Sequence, residues 1–310
     1  MWKFLARTRL TRVRERSAPI TYSDIQSAQR VLFAVFARYG DSIIAFKSIN
    51  RFMALHPNKD YLIVTTHQAL PYAHELIKSP VTVIAINKRR DPFKLIWLMA
   101  KLGRLAPDVA FNPWSHGLES EMFISYGKRF YIYGSFDQSC GQLNHYEKLR
   151  RYMQLPLPDA NAPAKAPGQV RRILLTPFST DPQRSIDPGK IETLIAELRA
   201  LHPHAELTIA IMKSERGWVN ARLVDRIFVF GKTTAHSVEF LSLMKSIDLF
   251  VGVDSGPLHL ADALGIPAVA IFGPTAPATV LDHGSRVVPL QMTRLGAGML
   301  SGESSQAVKA

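Results

Sequence analysis

The chain has 310 residues, of which 47% are hydrophobic and 20% charged. That is the composition of packed globular protein, and the length suits two domains. A single cysteine, Cys140, excludes an intramolecular disulfide and a cysteine-built zinc site. The formal net charge of +13 is uneven: residues 1–150 hold 22 Lys and Arg against 11 Asp and Glu, residues 151–310 hold 16 against 14. The N-terminal half therefore carries either a plain basic surface or a field for an anionic partner, such as nucleic acid, a membrane or a phosphorylated substrate.

Residues 1–29 read as a basic extension. The run MWKFLARTRLTRVRERSAPI is arginine-rich but has no continuous apolar core and no small-residue cleavage site, so it is not a secretory signal. Trp2, Phe4, Leu5, Leu10 and Val13 would line one face of a basic amphipathic helix, either a peripheral anchor or a helix packed on the domain. No apolar stretch approaches the ~20 residues that span a bilayer.

Apolar, β-branched bursts then alternate with helical stretches. RVLFAVFA (30–37), DYLIVTT (60–66), VTVIAI (81–86) and DVAF (108–111) predict strands. Between them SIIAFKSINRFMALHP, HQALPYAHELIK and the basic DPFKLIWLMAKLGRL predict helices, and FISYGKRFYIYG a helix-to-strand passage. Such alternation implies parallel βαβ units, here a first domain over 30–152. Residues 153–170, rich in Pro and Ala without periodicity, read as a linker. A second domain, 171–290, restarts with RRILLTPF and continues through IETLIAELRALHP, AELTIAIM, RIFVFG and SVEFLSLMKSI. Residues 291–310 form a small, polar tail whose composition predicts disorder.

The run IDLFVGVDSGPLHLADALGIPAVAIFGPTAP (247–277) carries the densest signal. LFVGV is a buried strand, broken by Asp254-Ser255-Gly256. Pro257 suits the first turn of a helix, and Gly265 stands where its C-cap belongs. PAVAIF is a second strand, closed by Gly273-Pro274-Thr275. Open α/β sheets bind ligands beyond such strand ends, and a helix N-terminus there offers N–H groups and partial positive charge to a phosphate. The segment points to a nucleotide. His259, one turn into the helix, either donates to phosphate or packs as a core histidine.

Other strand ends carry polar groups. Asp41, after Tyr39-Gly40, either caps the next helix or acts as a general base on a substrate hydroxyl. Ser179-Thr180 and Arg184 follow the first strand of the second domain; they form a capped loop with a surface arginine, or bind a diphosphate. Glu215 is a solvated side chain or a ribose ligand. No GxGxxG follows either first strand, and neither GxxxxGK(S/T) nor GxSxG occurs. With no HxxxH, DxD or EF-hand pattern either, no metal site is expected. Nucleic-acid binding would rest on charge alone.

The run from Asp248 to Pro277 resembles glycosyltransferase family 9, the lipopolysaccharide heptosyltransferases. That family shows a strand ending in Asp-(Thr/Ser)-Gly, a helix with His and Leu, a Pro, and a strand ending in Gly-Pro-Thr. Here these are Asp254-Ser255-Gly256, His259, Leu264, Pro267 and Phe272-Gly273-Pro274-Thr275. The family also opens with a strand and a Gly-Asp turn, here Gly40-Asp41, and the likeness runs over roughly 30–290.

The resemblance implies an α/β fold of two Rossmann-like domains facing a central cleft, the GT-B glycosyltransferase fold. It implies inverting transfer of a heptose or related sugar from an ADP-sugar to a lipopolysaccharide core or similar lipid-linked anionic glycan. Asp41 would be the general base. Ser179, Thr180, Arg184, Glu215, Asp254, Ser255, Gly256, His259, Gly273 and Thr275 would hold the donor. Arg184 stands where the family commonly has Lys, and Asp262 where small residues prevail. No cofactor is expected, and the location would be the cytoplasm, at the inner face of the inner membrane. Lys88, Arg89, Arg90, Lys94 and Trp97 would face the acceptor or the membrane. The alternatives are a nucleotide-sugar epimerase or hydrolase on the same fold, and a catalytically silent relative that binds nucleotide sugar or membrane.

Overall fold

The computed structural model describes residues 14–87, 91–141, 143–157 and 169–292. The chain divides into two compact units, Met1–Leu157 and Pro158–Ala310. In the first, the elements run α1 (Tyr22–Ser27), β1 (Arg30–Val35), α2 (Tyr39–Leu55), β2 (Asp60–Thr66), α3 (Leu70–Leu76), β3 (Thr82–Ile86), α4 (Pro92–Leu105), β4 (Val109–Phe111), α5 (Leu118–Ile124), β5 (Arg129–Tyr131), α6 (Tyr133–Ser139) and α7 (His145–Tyr152). In the second they run β6 (Arg172–Thr176), α8 (Pro188–Leu201), β7 (Glu206–Ile211), β8 (Arg226–Val229), α9 (Thr234–Ser246), β9 (Leu249–Val253), α10 (Gly256–Leu264), β10 (Ala268–Phe272), α11 (Pro277–Val280) and β11 (Val287–Gln291).

Each unit is built on one parallel sheet. The first has strand order β3-β2-β1-β4-β5 and the second β11-β10-β9-β6-β7-β8. Near-continuous apolar strands suit this arrangement, because helices cover both faces of a parallel sheet. In β1, Leu32 and Ala34 join a core with Leu95, Leu98 and Leu102 of α4 and Phe123 of α5. The alternate residue Phe33 faces the other way and packs on Phe52 of α2 and Phe111 of β4, with ring centroids 5.5 and 5.7 Å apart. In the second unit Ile173 and Leu175 of β6 meet Ile191, Leu194 and Leu198 of α8.

Strand order reverses once in each sheet. In the first unit the reversal lies between β1 and β4, in the second between β6 and β9. Loops leaving those strand ends diverge to opposite faces and open the crevice in which such sheets bind ligands.

The structure adds to the sequence reading at several places. Part of the stretch read as an N-terminal extension packs on the first unit. Ile20, Ile25 and Ala28 are buried, Ala18 donates its N–H to Phe130 O, and Ile132 N–H reaches Ser17 Oγ. Thr21 and Asp24 cap α1 reciprocally. Met153 and Leu155, placed in the linker by composition, are likewise buried in the first unit. The edge strand β11 carries Pro289, which masks a strand in sequence but is tolerated at a sheet edge. Gly265 caps α10 in the left-handed region at φ 69°, as its position after Leu264 suggested. Residues 1–13, which hold the whole of the expected amphipathic face, and 293–310 of the tail lie outside the described residues.

Candidate functional site

In the second unit the predicted donor residues fall on loops that leave the carboxyl ends of neighbouring strands. Ser179, Thr180 and Arg184 follow β6, Glu215 follows β7, Asp254 to His259 follow β9, and Gly273 and Thr275 follow β10. Since β7, β6, β9 and β10 are consecutive in the sheet, four loops gather along one edge.

Their contacts are specific. Arg184 Nη1 donates to Asp254 Oδ2 at 3.1 Å, while its Nε lies 3.4 Å from Asp181 Oδ2. The loop carrying Arg184 is pinned by Ser185, whose Oγ donates to the carbonyls of Ser179 and Asp181 and accepts the Ser179 N–H. A Cβ on Gly273 would come within 3.1 Å of Gln183 O, so the turn after β10 lies directly against the turn after β6. Beneath them Gly252 of β9 passes Thr176 of β6, and a Cβ there would stand 2.2 Å from Thr176 Oγ1.

Asp254 is buried and Ser255 is the N-cap residue of α10. The Ser255 hydroxyl does not cap; it turns back and donates to Val253 O at 3.1 Å. The helix thus begins without a side-chain cap, and Pro257 brings no N–H. His259 is buried one turn further in. Asp262, unusual in sequence, accepts a 2.7 Å hydrogen bond from Ser285 Oγ and ties α10 to the segment before β11. Glu215 is buried rather than solvated. It lies in a short 3-10 helix, Lys213–Trp218, and its Oε2 accepts the Met212 N–H at 2.7 Å.

In the first unit Asp41 stands in the first turn of α2, after β1 and beside the point where the strand order reverses. The N-cap residue is Arg38, not Asp41. The carboxylate is therefore a first-turn anion favoured by the helix dipole. The loops around it are tied down by residues that the sequence reading did not single out. Phe36 N–H donates to Ser115 Oγ at 2.8 Å, linking the ends of β1 and β4. Asn112 is fully buried: its Oδ1 accepts from Tyr133 N–H and Tyr152 Oη, both at 2.9 Å, and its Nδ2 donates to Ser115 O and Ser120 Oγ. An asparagine immediately after the β4 burst was the available sign. Tyr133 is fully buried with its ring against those of Trp114 and His116. Burial pushes its phenol far above the ordinary range, and the Asp137 and Asp41 carboxylates add to the effect. Its hydroxyl has no hydrogen-bond partner among the described residues.

Lys94 and Trp97 lie on α4, which follows the edge strand β3. Through Leu95, Leu98 and Leu102 the helix packs on Leu32 and Ala34 of β1. Lys88, Arg89 and Arg90 lie outside the described residues. Among the described residues there is no cluster of three or more His, Cys, Asp or Glu arranged to hold a metal ion.

Comparison with known proteins agrees with this picture. Residues 214–293 match the family model for glycosyltransferase family 9 (heptosyltransferase). A 37-residue stretch is 54% identical to lipopolysaccharide heptosyltransferase 1 of Campylobacter coli, covering 12% of this chain and 11% of that protein. Among solved structures the chain is similar to E. coli ADP-heptose lps heptosyltransferase II, with 15% identity, a TM-score of 0.62, and 90% and 96% of the two chains covered. It is similar also to E. coli heptosyltransferase WaaC with ADP, at 15% identity, a TM-score of 0.58, and 90% and 98% covered. The resemblance read from Asp254–Thr275 is borne out: residues 214–293 of the second unit match the glycosyltransferase family 9 (heptosyltransferase) model, and the fold is shared with the solved heptosyltransferases.

Proposed function

We propose that this chain is a glycosyltransferase that moves a heptose or related sugar from an ADP-sugar to a lipopolysaccharide core or similar lipid-linked acceptor. The observation that carries the reading is the gathering of Arg184, Asp254-Ser255-Gly256 and Gly273–Thr275 on adjacent strand ends, around a helix that begins without a side-chain cap. Such a helix start, with an arginine beside it, suits a diphosphate. WaaC of E. coli has been solved both with ADP and with ADP-2-deoxy-2-fluoro heptose, which supports the same donor class here.

In this reading the acceptor hydroxyl gives its proton to Asp41 as its oxygen bonds to the anomeric carbon. The bond from that carbon to the β-phosphate oxygen breaks on the opposite side, inverting the configuration and releasing ADP. Arg184 and the start of α10 meet the charge that develops on the departing diphosphate, and no further cofactor is invoked. Glu215 would hold the ribose; Ser179, Thr180, His259 and Thr275 complete the donor loops. Lys94, with Lys88, Arg89 and Arg90 ahead of it, would face an anionic acceptor at the inner face of the inner membrane.

The test is calorimetry of ADP, GDP and UDP with the purified protein and with Asp254→Ala, followed by ADP-heptose transfer to truncated lipopolysaccharides. The reading expects selective ADP binding that the variant loses, and transfer that depends on the acceptor. Preference for UDP or GDP would overturn the heptose assignment. ADP-heptose consumption independent of acceptor would turn the reading to a hydrolase or epimerase. No nucleotide binding at all would leave a silent relative.

A further inference from the structure

Helix α4 is apolar on two opposite faces. Leu95, Leu98 and Leu102 point into the core of the first unit and are nearly or fully buried. Phe93, Ile96, Trp97 and Ala100 share the other face at the same helical spacing, and all four are exposed. Phe93 is 85% exposed, Ile96 64% and Trp97 51%. An ordinary surface helix is polar on that side; a continuous outward apolar stripe marks an interaction surface.

The stripe is bordered by cations. Lys94 and Lys101 flank it on one side, and Arg104 lies on the same outward face near the helix end. Lys101 Nζ stands 5.0 Å from the centre of the Trp97 ring, a contact that keeps the indole and the ammonium at one level. No acidic residue lies between Pro92 and Leu105. Aromatic and aliphatic side chains on one face, rimmed by lysine and arginine, are the features of a helix lying in the plane of an anionic bilayer, with its apolar face among the acyl chains and its cations at the headgroups. The charge of the surrounding half of the chain has the matching sign. Among the described residues no helix is long and apolar enough to cross a membrane.

We propose that α4 docks the first unit onto an anionic lipid surface by inserting Phe93, Ile96 and Trp97 at the bilayer interface. This deepens the membrane-facing part of the proposed function and rests on α4 and the charge around it, apart from the donor assignment.

The experiment uses the full chain and vesicles of phosphatidylcholine with or without phosphatidylglycerol, free of any sugar acceptor. The chain is expected to sediment with the anionic vesicles, and Phe93→Ser/Ile96→Ser to lower the partition coefficient at least about tenfold. Both substitutions lie on an exposed face, so an unchanged Tm verifies the fold. Lys94→Glu/Lys101→Glu should weaken binding and reduce its salt dependence. Trp97 emission, read as the difference from Trp97→Phe, should shift to the blue and be quenched by brominated acyl chains. Vesicle binding that is absent in the parent chain, or unaltered by Phe93→Ser/Ile96→Ser, would overturn the proposal. So would a parent dimer that these substitutions convert to monomer, which would assign the stripe to a second copy of the chain. Loss of ADP binding in the separate titration would sink the donor reading and leave the vesicle result intact.

Discussion

Arg184 and Asp254, 70 positions apart in sequence, meet at 3.1 Å across the ends of β6 and β9. Asp254 is only 3% exposed, so the guanidinium is the counter-charge of a buried carboxylate as well as a group for a ligand. Arg184→Ala should lower stability by about 1–3 kcal/mol, the penalty of stranding a buried acceptor. Asp254→Asn should be milder, because the amide leaves no charge behind. Denaturant unfolding of both variants and the double variant gives the coupling directly. Independent losses that simply add would dismiss the pair as a stabilising contact.

Asp41→Asn should leave ADP affinity and Tm nearly untouched and reduce kcat by about 10²–10⁴. The stability expectation follows from Arg38, not Asp41, being the N-cap residue of α2. Only the first-turn dipole contribution, about 0.3–1 kcal/mol, is lost. A kcat within threefold of the parent, measured under saturating donor and acceptor, would remove Asp41 from the role of base.

Asn112→Ala should be among the most destabilising single changes in the first unit. It removes the acceptor of Tyr133 N–H and Tyr152 Oη, in a place without water access. The expected loss is about 3 kcal/mol, read from urea unfolding of the full chain. A loss below 1 kcal/mol would show that the loops after β4 and β5 hold together without it.

Gly252→Ala should unsettle the second unit, since the added methyl would lie 2.2 Å from Thr176 Oγ1 and 2.7 Å from Phe250 Cζ. Part of the lost Tm should return in Gly252→Ala/Thr176→Ala, which removes the nearer of those atoms. A double variant no more stable than the single one would place the obstacle at Phe250.

Acid should weaken the first unit through two carboxylates. Asp108 is held down to about 2 by the Lys128 ammonium and by the N–H groups of Arg30 and Gln29. Glu147 is held down to about 2 by Arg150 and Arg151. Both titrate lower folded than unfolded, so their contribution is present above the ordinary carboxylate range and is lost as the pH falls toward 2. Asp108→Asn and Glu147→Gln should flatten the decline of Tm between about pH 5 and pH 2. Exposed Lys128 and Arg151 and half-buried Arg150 make each effect small, and it should shrink further in 1 M salt.

Much of the fold was legible because parallel strands are buried on both sides and read as apolar bursts. β1, β2, β6, β9 and β10 all fall where such bursts lie. What escaped notice has physical reasons. β11 is an edge strand with a proline, α6 buries Tyr133 alone, and α7 carries its stripe of Tyr146, Leu149 and Tyr152 over only two turns. The gathering of polar loops after neighbouring strands was readable from Asp254, Gly273 and Arg184, because small and charged residues stand directly after buried strands there. The pairing of Arg184 with Asp254 was not readable, since nothing local announces a contact 70 residues away. For Glu215 the sequence left a solvated side chain beside a ribose ligand, because local sequence does not reveal that its carboxylate accepts a backbone N–H three residues back. Sequence pointed to Lys94 and Trp97 as an acceptor or membrane face, but which apolar residues of α4 stay outside emerged only once the core had taken Leu95, Leu98 and Leu102.

Ser255 bonds backward to the strand it leaves instead of forward to the helix it begins. A serine there could have closed off the first turn of α10, and the free protein forgoes that stabilisation, about 1 kcal/mol for a typical cap. The vacancy is useful only if something from outside fills it. A bound anion would then act as the missing cap, and its binding energy would appear as thermal protection of the second unit. A hydroxyl turned forward at this point would give a sturdier helix and leave fewer free N–H groups for an anion.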